Sequence, residues 1–434
     1  MEDAPAIAGT PLEPKVFRRP AALGIRGVAI LAHRYVGLCL SVFLLLAGLT
    51  GSLLAFNEEL DGALSPKLHR VALPAPGVTR LDPFEVDERV RQHLPADSNH
   101  HAVFFSHEPE RALSIWIEET PGRWRQWFAN PYTGEVLGSR SWGDLSEGLV
   151  NVMPFVYRLH YSLALGEVGS WLFGIVALLW TLDCFVGAYL TLPRAVTRER
   201  GSSRSWFARW LPAWLLNTSR LFSLIFSWHR ASGLWVWAML LVFAWSAVAL
   251  NLQPVYAPVM SVLGYRPSVH DSLPELEPPH PAPGMDTRAA HAVGKRLMAE
   301  QAALRKFDIK RELWLHYAAD HGAFVYGVES SLDITFKNPH TQVYFDAKDG
   351  HLIGFDAPTG MSAGNSVTNW LFGLHFAAVF GTWYRVFVLL MGLVVAALSA
   401  SGVWIWWRKR EKRATKQPDA RQKVRVVEEP AVAA

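Results

Sequence analysis

The motif His33-Arg34-x-x-Gly37-Leu38 opens one long apolar segment and returns as His229-Arg230-x-x-Gly233-Leu234 within another. A second set recurs at a single offset: Leu159-His160, Gly166, Gly187 and Arg194 align with Leu374-His375, Gly381, Gly402 and Lys409. A repeat constrains a fold more than any local pattern, because each half must be a similar unit whose buried surface its partner completes. The chain is therefore predicted to consist of two tandem repeats, and four scattered histidines become two equivalent pairs.

Half of the 434 residues are apolar and the mean hydropathy is +0.13, high for a water-soluble protein. The excess sits in four stretches, about Val28 to Phe56, Trp171 to Leu192, Leu224 to Leu252 and Val386 to Trp407. Each can cross a hydrocarbon core of about 30 Å at 1.5 Å per residue. The predicted fold class is an α+β membrane protein, a bundle of four transmembrane helices with two extracytoplasmic α+β domains. The first segment is too long for the apolar core of a signal peptide and carries its own His-Arg, so it is expected to remain in the mature protein.

Orientation follows from the flanking cations. Lys15, Arg18, Arg19 and Arg26 precede the first span, Arg194, Arg198, Arg200, Arg204, Arg209 and Arg220 lie between the second and third, and a basic run from Arg408 to Arg425 ends the chain. The positive-inside rule then makes both termini and the central loop cytoplasmic. The pI near 9.0 follows from that topology and gives no reason to expect nucleic acid as a partner. The expected division is a disordered N-terminus (1–25), transmembrane helix (26–57), outer domain (58–150), outer histidine segment with second span (151–193), cytoplasmic loop (194–223), third span (224–252), second outer domain (253–369), second histidine segment with fourth span (370–407), and basic tail (408–434).

Within the first outer domain, Leu81 to Leu94 reads as a short helix, and Ala102 to Ser106, Ala112 to Glu118 and Trp124 to Ala129 alternate like strands before a turn at Asn130 to Val136. In the second, after a proline-rich link at Pro274 to Pro283, Thr287 to Lys306 reads as a helix. Glu312 to Tyr317, Phe324 to Glu329 and Thr341 to Phe345 read as strands, followed by a turn at Asp346 to His351. The two cysteines, Cys39 and Cys184, both fall in predicted membrane helices, which excludes a CxxCH haem attachment and a dithiol redox pair. No glycine-rich dinucleotide fingerprint and no P-loop is encoded, so electrons or energy must come from another molecule.

His33 and His229 are placed near the cytoplasmic ends of the first and third spans, while His160 and His375 come just before the second and fourth, on the outer side. Gly166 with Gly169, and Gly381, offer breaks that would set the outer histidines on short apolar segments capping the bundle. Each end would then hold one histidine from each repeat. Two imidazoles facing across an apolar bundle suit a bis-histidine b-type haem, and Arg34 and Arg230 suit its propionates. Interfacial histidines with snorkelling arginines are the plainer reading for any single site. Four at duplicated positions favour ligation, since ionisable groups inside a membrane are usually functional. Copper or zinc is the remaining choice; it is disfavoured because two histidines alone hold a divalent ion poorly whereas haem brings four nitrogens. Asp183 either fixes a ligand imidazole through its other nitrogen or pairs with an arginine, and both readings stay open. His100, His101, His107, His316, His321 and His351 read as solvated surface groups.

As a set, three further motifs complete a resemblance: Phe56-Asn57-Glu58-Glu59-Leu60-Asp61, Pro131-Tyr132-Thr133-Gly134-Glu135-Val136-Leu137-Gly138, and Leu159-His160 through Gly166-Glu167-Val168-Gly169. With the His-Arg motif, they make residues 26 to 410 similar to the PepSY-associated transmembrane proteins, which include inner-membrane ferric-siderophore reductases of Gram-negative bacteria. The resemblance implies two PepSY-like outer domains and two b haems, with His33, His229, His160 and His375 as the axial ligands of the haem irons. It further implies electron delivery from an unidentified donor to a periplasmic ferric siderophore or other ferric chelate, releasing Fe(II) from an enzyme seated in inner-membrane lipid. The competing expectation is a cofactor-free membrane anchor whose PepSY modules bind a peptide, a peptidase or a signalling partner. Transport through the bundle is the third, and the spans carry few polar groups to line a path for it.

Overall fold

In the computed structural model, residues 24–93, 99–105, 108–120, 123–194, 205–278, 282–336 and 340–414 are described. The expectations for residues 1–23, for Lys15, Arg18, Arg19, His107, Arg198, Arg200 and Arg204, and for the tail after residue 414 lie outside the described residues.

Helix α1 (Ile25–Leu54) is apolar and 30 residues long, about 45 Å at 1.5 Å per residue. It passes into two short helices, α2 (Asn57–Leu64) and α3 (Pro66–His69). Helix α4 (Pro83–Arg91) starts on Asp82, whose carboxylate accepts the Phe84 N–H, with Pro83 in the first turn where its missing donor is harmless. Four strands follow as an antiparallel meander: β1 (Asn99–Phe104), β2 (Leu113–Thr120), β3 (Arg123–Ala129) and β4 (Val136–Ser141). The chain then returns through α5 (Val152–Ser162) and the 26-residue α6 (Gly166–Thr191). Leu163, Ala164 and Gly166 between them are all left-handed, the break expected at Gly166.

Beyond α7 (Trp206–Trp210) the third apolar stretch departs from expectation. It forms α8 (Leu221–Trp235) and α9 (Trp237–Asn251), two helices bent by 69° at Val236. Apolar residues run straight through the bend, so hydropathy reads one helix where the backbone makes two. Trp237 helps hold the corner by donating its indole N–H to the Cys184 carbonyl of α6 at 2.9 Å. Among the described residues three unbroken helices are therefore long and apolar enough to cross a membrane, and a fourth span results if the bent pair is counted as one.

The second half continues with α10 (Gln253–Met260), α11 (Val269–Ser272) and α12 (Thr287–Arg305). Strands β5 (Ile309–Ala318), β6 (Ala323–Ser330), β7 (Thr341–Asp346) and β8 (Leu352–Asp356) follow, then α13 (Ala363–His375) and α14 (Gly381–Ala414). Strands β4 and β8 extend the sheets one strand past the sequence reading. In the bundle α1 lies along α14 so closely that a Cβ on Gly48 would come within 2.5 Å of the Gly392 carbonyl oxygen, the small-residue contact that lets membrane helices approach. Helix α6 lies along α9. Large apolar side chains such as Val42, Leu53, Phe185, Leu390 and Trp407 stay exposed around the outside, as a lipid-facing surface requires.

Instead of two separate sheets, the halves share one eight-stranded sheet of order β4-β3-β2-β1-β5-β6-β7-β8. β1 and β5 pair antiparallel at its centre, with Val103 opposite Leu315 and Phe104 opposite Trp314. One face is apolar: Ile115, Ile117, Leu315, Phe324, Tyr326 and Phe345 are buried beneath Val86 and Val90 of α4 and Leu297 and Met298 of α12. Both expected turns have the same build. Asn130 and Asp346 each accept a backbone N–H two residues on, at Tyr132 and Lys348, and Gly134 and Gly350 take φ of +73° and +72°.

Candidate functional site

Histidines from α1 and α8 meet at one end of the bundle, and histidines from α5 and α13 meet at the other. The rings of His33 and His229 have centroids 6.3 Å apart and planes inclined by 59°. Those of His160 and His375 are 6.2 Å apart at 77°. Each pair takes one member from each half of the chain, and the second pair lies at the end carrying the sheet.

All four rings have one nitrogen already engaged. His33 Nδ1 lies 2.9 and 3.0 Å from the two carboxylate oxygens of Asp183 on α6. His229 Nδ1 lies 2.9 Å from Ser401 Oγ on α14. At the sheet end His160 Nδ1 lies 2.9 Å from Thr50 Oγ1 on α1, and His375 Nδ1 2.5 Å from Ser246 Oγ on α9. A hydroxyl has one proton, and each of these three gives it to a carbonyl in its own helix: Ser401 to Leu398 at 2.9 Å, Thr50 to Leu46 at 2.7 Å and Ser246 to Val242 at 2.6 Å. The hydroxyls therefore accept from the imidazoles, as the Asp183 carboxylate also does. The network assigns the Nδ1–H tautomer to all four and leaves four Nε2 lone pairs.

That donor set fits metal ligation from two sides. Imidazole nitrogens on opposite sides of one metal at about 2.0 Å each stand about 4 Å apart, with ring centroids roughly 2 Å further. The observed centroid spacings agree with this arithmetic. The only group of three or more His, Cys, Asp and Glu side chains with clustered ligand atoms among the described residues is Asp346, Asp349 and His351, on an exposed turn of the sheet. Each bundle pair thus offers a metal two protein ligands, too few to enclose a bare divalent ion and the number a haem iron needs.

The walls differ at the two ends. Around His33 and His229 opens a cleft of about 430 Å³, lined by Asp183, Arg26, Arg34, Arg194, Arg230, Lys409 and apolar side chains including Leu44, Leu240 and Trp406. Gly187 and Gly402 adjoin the two rings: a Cβ at either would sit 3.5 and 3.4 Å from the Cε1 of His33 and His229. Arg230 donates to the Pro212 carbonyl at 2.5 Å, while its Nε is buried with no hydrogen-bond partner. An orphaned guanidinium donor fits an anionic group such as a haem carboxylate. At the sheet end Phe243 stands edge-on to His375 with centroids 5.5 Å apart, and Ala55, Ala377 and Val388 form an apolar cluster with Phe56 and Tyr384.

The sequence pointed to the four histidines with Arg34 and Arg230 and left Asp183 between two roles; the structure brings the histidines together in two pairs, sets both arginines on the cleft and places Asp183 on His33. Thr50, Ser246 and Ser401 were missed. A signal for two of them exists, since Thr50 and Ser246 stand at the offset that relates His33 to His229, 246 − 50 = 229 − 33 = 196. For Ser401 there is none, because the second offset carries Asp183 onto Leu398. Of the histidines read as surface groups, His351 is exposed beside Asp349, which lies 2.7 Å from its Nδ1 and raises its pKa. His321 instead has a nearly buried side chain, with Nδ1 3.0 Å from the Pro274 carbonyl.

A family model described as the PepSY-associated TM region matches residues 30–409. The chain belongs to that family and is a multi-pass membrane protein. No curated protein matches it.

Proposed function

From this membership in the PepSY-associated transmembrane family, we propose that the chain is an electron-transfer protein with two b-type haems, one held by His33 and His229 and one by His160 and His375. The observation that carries the reading is the pairing itself: ring centroids 6.3 and 6.2 Å apart, every Nδ1 proton committed, and no hydrogen bond to any of the four Nε2 atoms among the described residues. The haem would supply one-electron chemistry at its iron. The protein supplies the rest. Asp183, Ser401, Thr50 and Ser246 fix the tautomers and orient the rings. Arg34 and Arg230, with Arg26, Arg194 and Lys409, present cations to carboxylates at the open end, and the apolar walls exclude water.

With the positive-inside rule applied, the basic cleft faces the cytoplasm with both termini, and the sheet stands on the periplasmic side of the inner membrane. The acceptor we assign is a ferric siderophore or another ferric chelate, with a cytoplasmic-side electron donor, making the protein a ferric reductase. That assignment rests on the sequence resemblance and on the weaker hold of an oxygen-rich chelate on Fe(II) than on Fe(III). The test is an absorption spectrum of detergent-purified, haem-replete protein, oxidised and dithionite-reduced, with a pyridine haemochrome assay. About two b haems per chain is the expected result. A colourless protein would overturn the reading and favour a membrane-anchored PepSY module that binds a peptide, a peptidase or a signalling partner.

A further inference from the structure

The four imidazoles are held alike in geometry and unlike in charge. Three of the Nδ1 protons go to hydroxyls, Thr50, Ser246 and Ser401, each neutral and already donating to its own helix. The fourth goes to a carboxylate, and Asp183 meets it with both oxygens, at 2.9 and 3.0 Å. The Asp183 side chain is only 12 % exposed, so water screens little of its charge. An anion on the far nitrogen of an imidazole pushes electron density toward Nε2, strengthens the bond to a metal and stabilises the more positive oxidation state of that metal. Arg26, Arg34, Arg194, Arg230 and Lys409 line the same cleft with the opposite sign. A haem in this cleft would bring carboxylates of its own to meet these cations, whereas Asp183 touches the ligand imidazole itself.

We infer that Asp183 is a positioning residue that makes the His33/His229 centre the lower-potential of the two haem centres, so that the electron gradient runs from the basic end of the bundle toward the sheet. The inference rests on the di-haem reading above and assigns it a direction. The sequence carries the same asymmetry: the position equivalent to Asp183 in the second half is Leu398, and the hydroxyl of Ser401 stands in for it. Replacing the carboxylate by a neutral acceptor removes the charge and keeps a hydrogen bond.

Redox potentiometry of the purified haem-loaded protein, read optically, tests this with two variants. Asp183→Asn should shift one midpoint upward by at least a tenfold change in the one-electron equilibrium, about 59 mV, and leave the other where it was. His160→Ala should remove the outer group and leave the inner one to titrate alone, at the lower of the two wild-type midpoints. Two midpoints that ignore Asp183→Asn, or a lone His160→Ala midpoint at the higher value, would overturn the inference while leaving the di-haem reading intact. If Asp183→Asn does not retain its inner haem, the His160→Ala titration still decides. Wild-type protein without haem would overturn both.

Discussion

At the scale of single residues, the candidate site depends on four hydrogen bonds from Nδ1. Thr50→Val keeps the volume of the side chain and removes the hydroxyl acceptor of His160, leaving the ring only the Ala47 backbone to bond. Loss of such an outer partner typically weakens metal retention 10- to 100-fold. If the di-haem proposal holds, Thr50→Val and Ser246→Ala should lose the haem of the His160/His375 pair on dilution or gel filtration while that of the His33/His229 pair stays, read as a fall from about two haems per chain toward one. Gly51 separates packing from hydrogen bonding. Its Cβ would stand 3.0 Å from His160 Cε1, so Gly51→Ala must displace the ring by a few tenths of an ångström. Alanine is otherwise the better helix former by about 1 kcal/mol. The expected outcome is a protein of unchanged or higher thermal stability with reduced outer haem occupancy; a fully loaded Gly51→Ala variant would show that the ring position is not critical. Histidines in a duplicated motif were legible because imidazole is uncommon inside an apolar helix. Their partners were not, because a helical serine or threonine bonded to its own backbone has the same sequence appearance whether or not a ring lies across from it.

At the scale of elements, the link between bundle and sheet is ionic. Arg385 of α14 donates to the Ala55 carbonyl at 2.8 Å and engages both oxygens of Glu59 on α2. Two residues on, Asp61 accepts both Arg140 guanidinium nitrogens at 2.7 Å, and Arg140 also reaches Gln126 and the Val150 carbonyl. The Glu59-Leu60-Asp61 motif is thus where α2 is fastened to α14 on one side and to β4 on the other. Burial alone raises the Asp61 pKa, but hydrogen bonds from Arg140 and His69 overcome it and bring the group from 3.8 down to about 2. A depressed carboxylate stabilises the fold above its unfolded pKa and loses that contribution as the pH falls through the folded one. The sheet domain should therefore weaken between about pH 4 and 2, by roughly 2 kcal/mol from this group. Acid titrations followed by tryptophan emission should show that step diminished in Asp61→Asn, which should also be less stable at neutral pH by about 3–5 kcal/mol for stranding Arg140. Equal acid sensitivity in both proteins would remove Asp61 from the account. The α12 helix and the inner strands were readable from periodicity. The Val236 bend was not, because it interrupts the backbone without interrupting the hydrophobicity.

At the scale of the whole molecule, the halves meet twice, through the histidine pairs of the bundle and through the β1–β5 ladder. The second junction could not be read from either half, because a strand pattern reports which face is buried and says nothing of the strand beside its edge. Its consequence is connectivity: one continuous sheet joins the two halves at this end of the bundle. Were the two domains independent, each would present a free edge strand, a liability for aggregation that the junction removes. The Phe105 N–H donates to the Leu313 carbonyl at 2.8 Å, which makes Phe104 and Trp314 the closer, non-hydrogen-bonded pair of the antiparallel register. Their Cα atoms should stand about 4.5 Å apart, within reach of a disulfide. In a Cys39→Ser, Cys184→Ser background, Phe104→Cys with Trp314→Cys should cross-link on mild oxidation. After cleavage at a protease site inserted within residues 195–204, the two halves should migrate together until reduced. Shifting one partner to Leu315, which is buried in the core on the opposite face beneath α12, should abolish the link. Fragments that separate without reductant in the paired variant would mean that the halves fold as separate sheets, and would leave the histidine pairs as the junction to be tested between them.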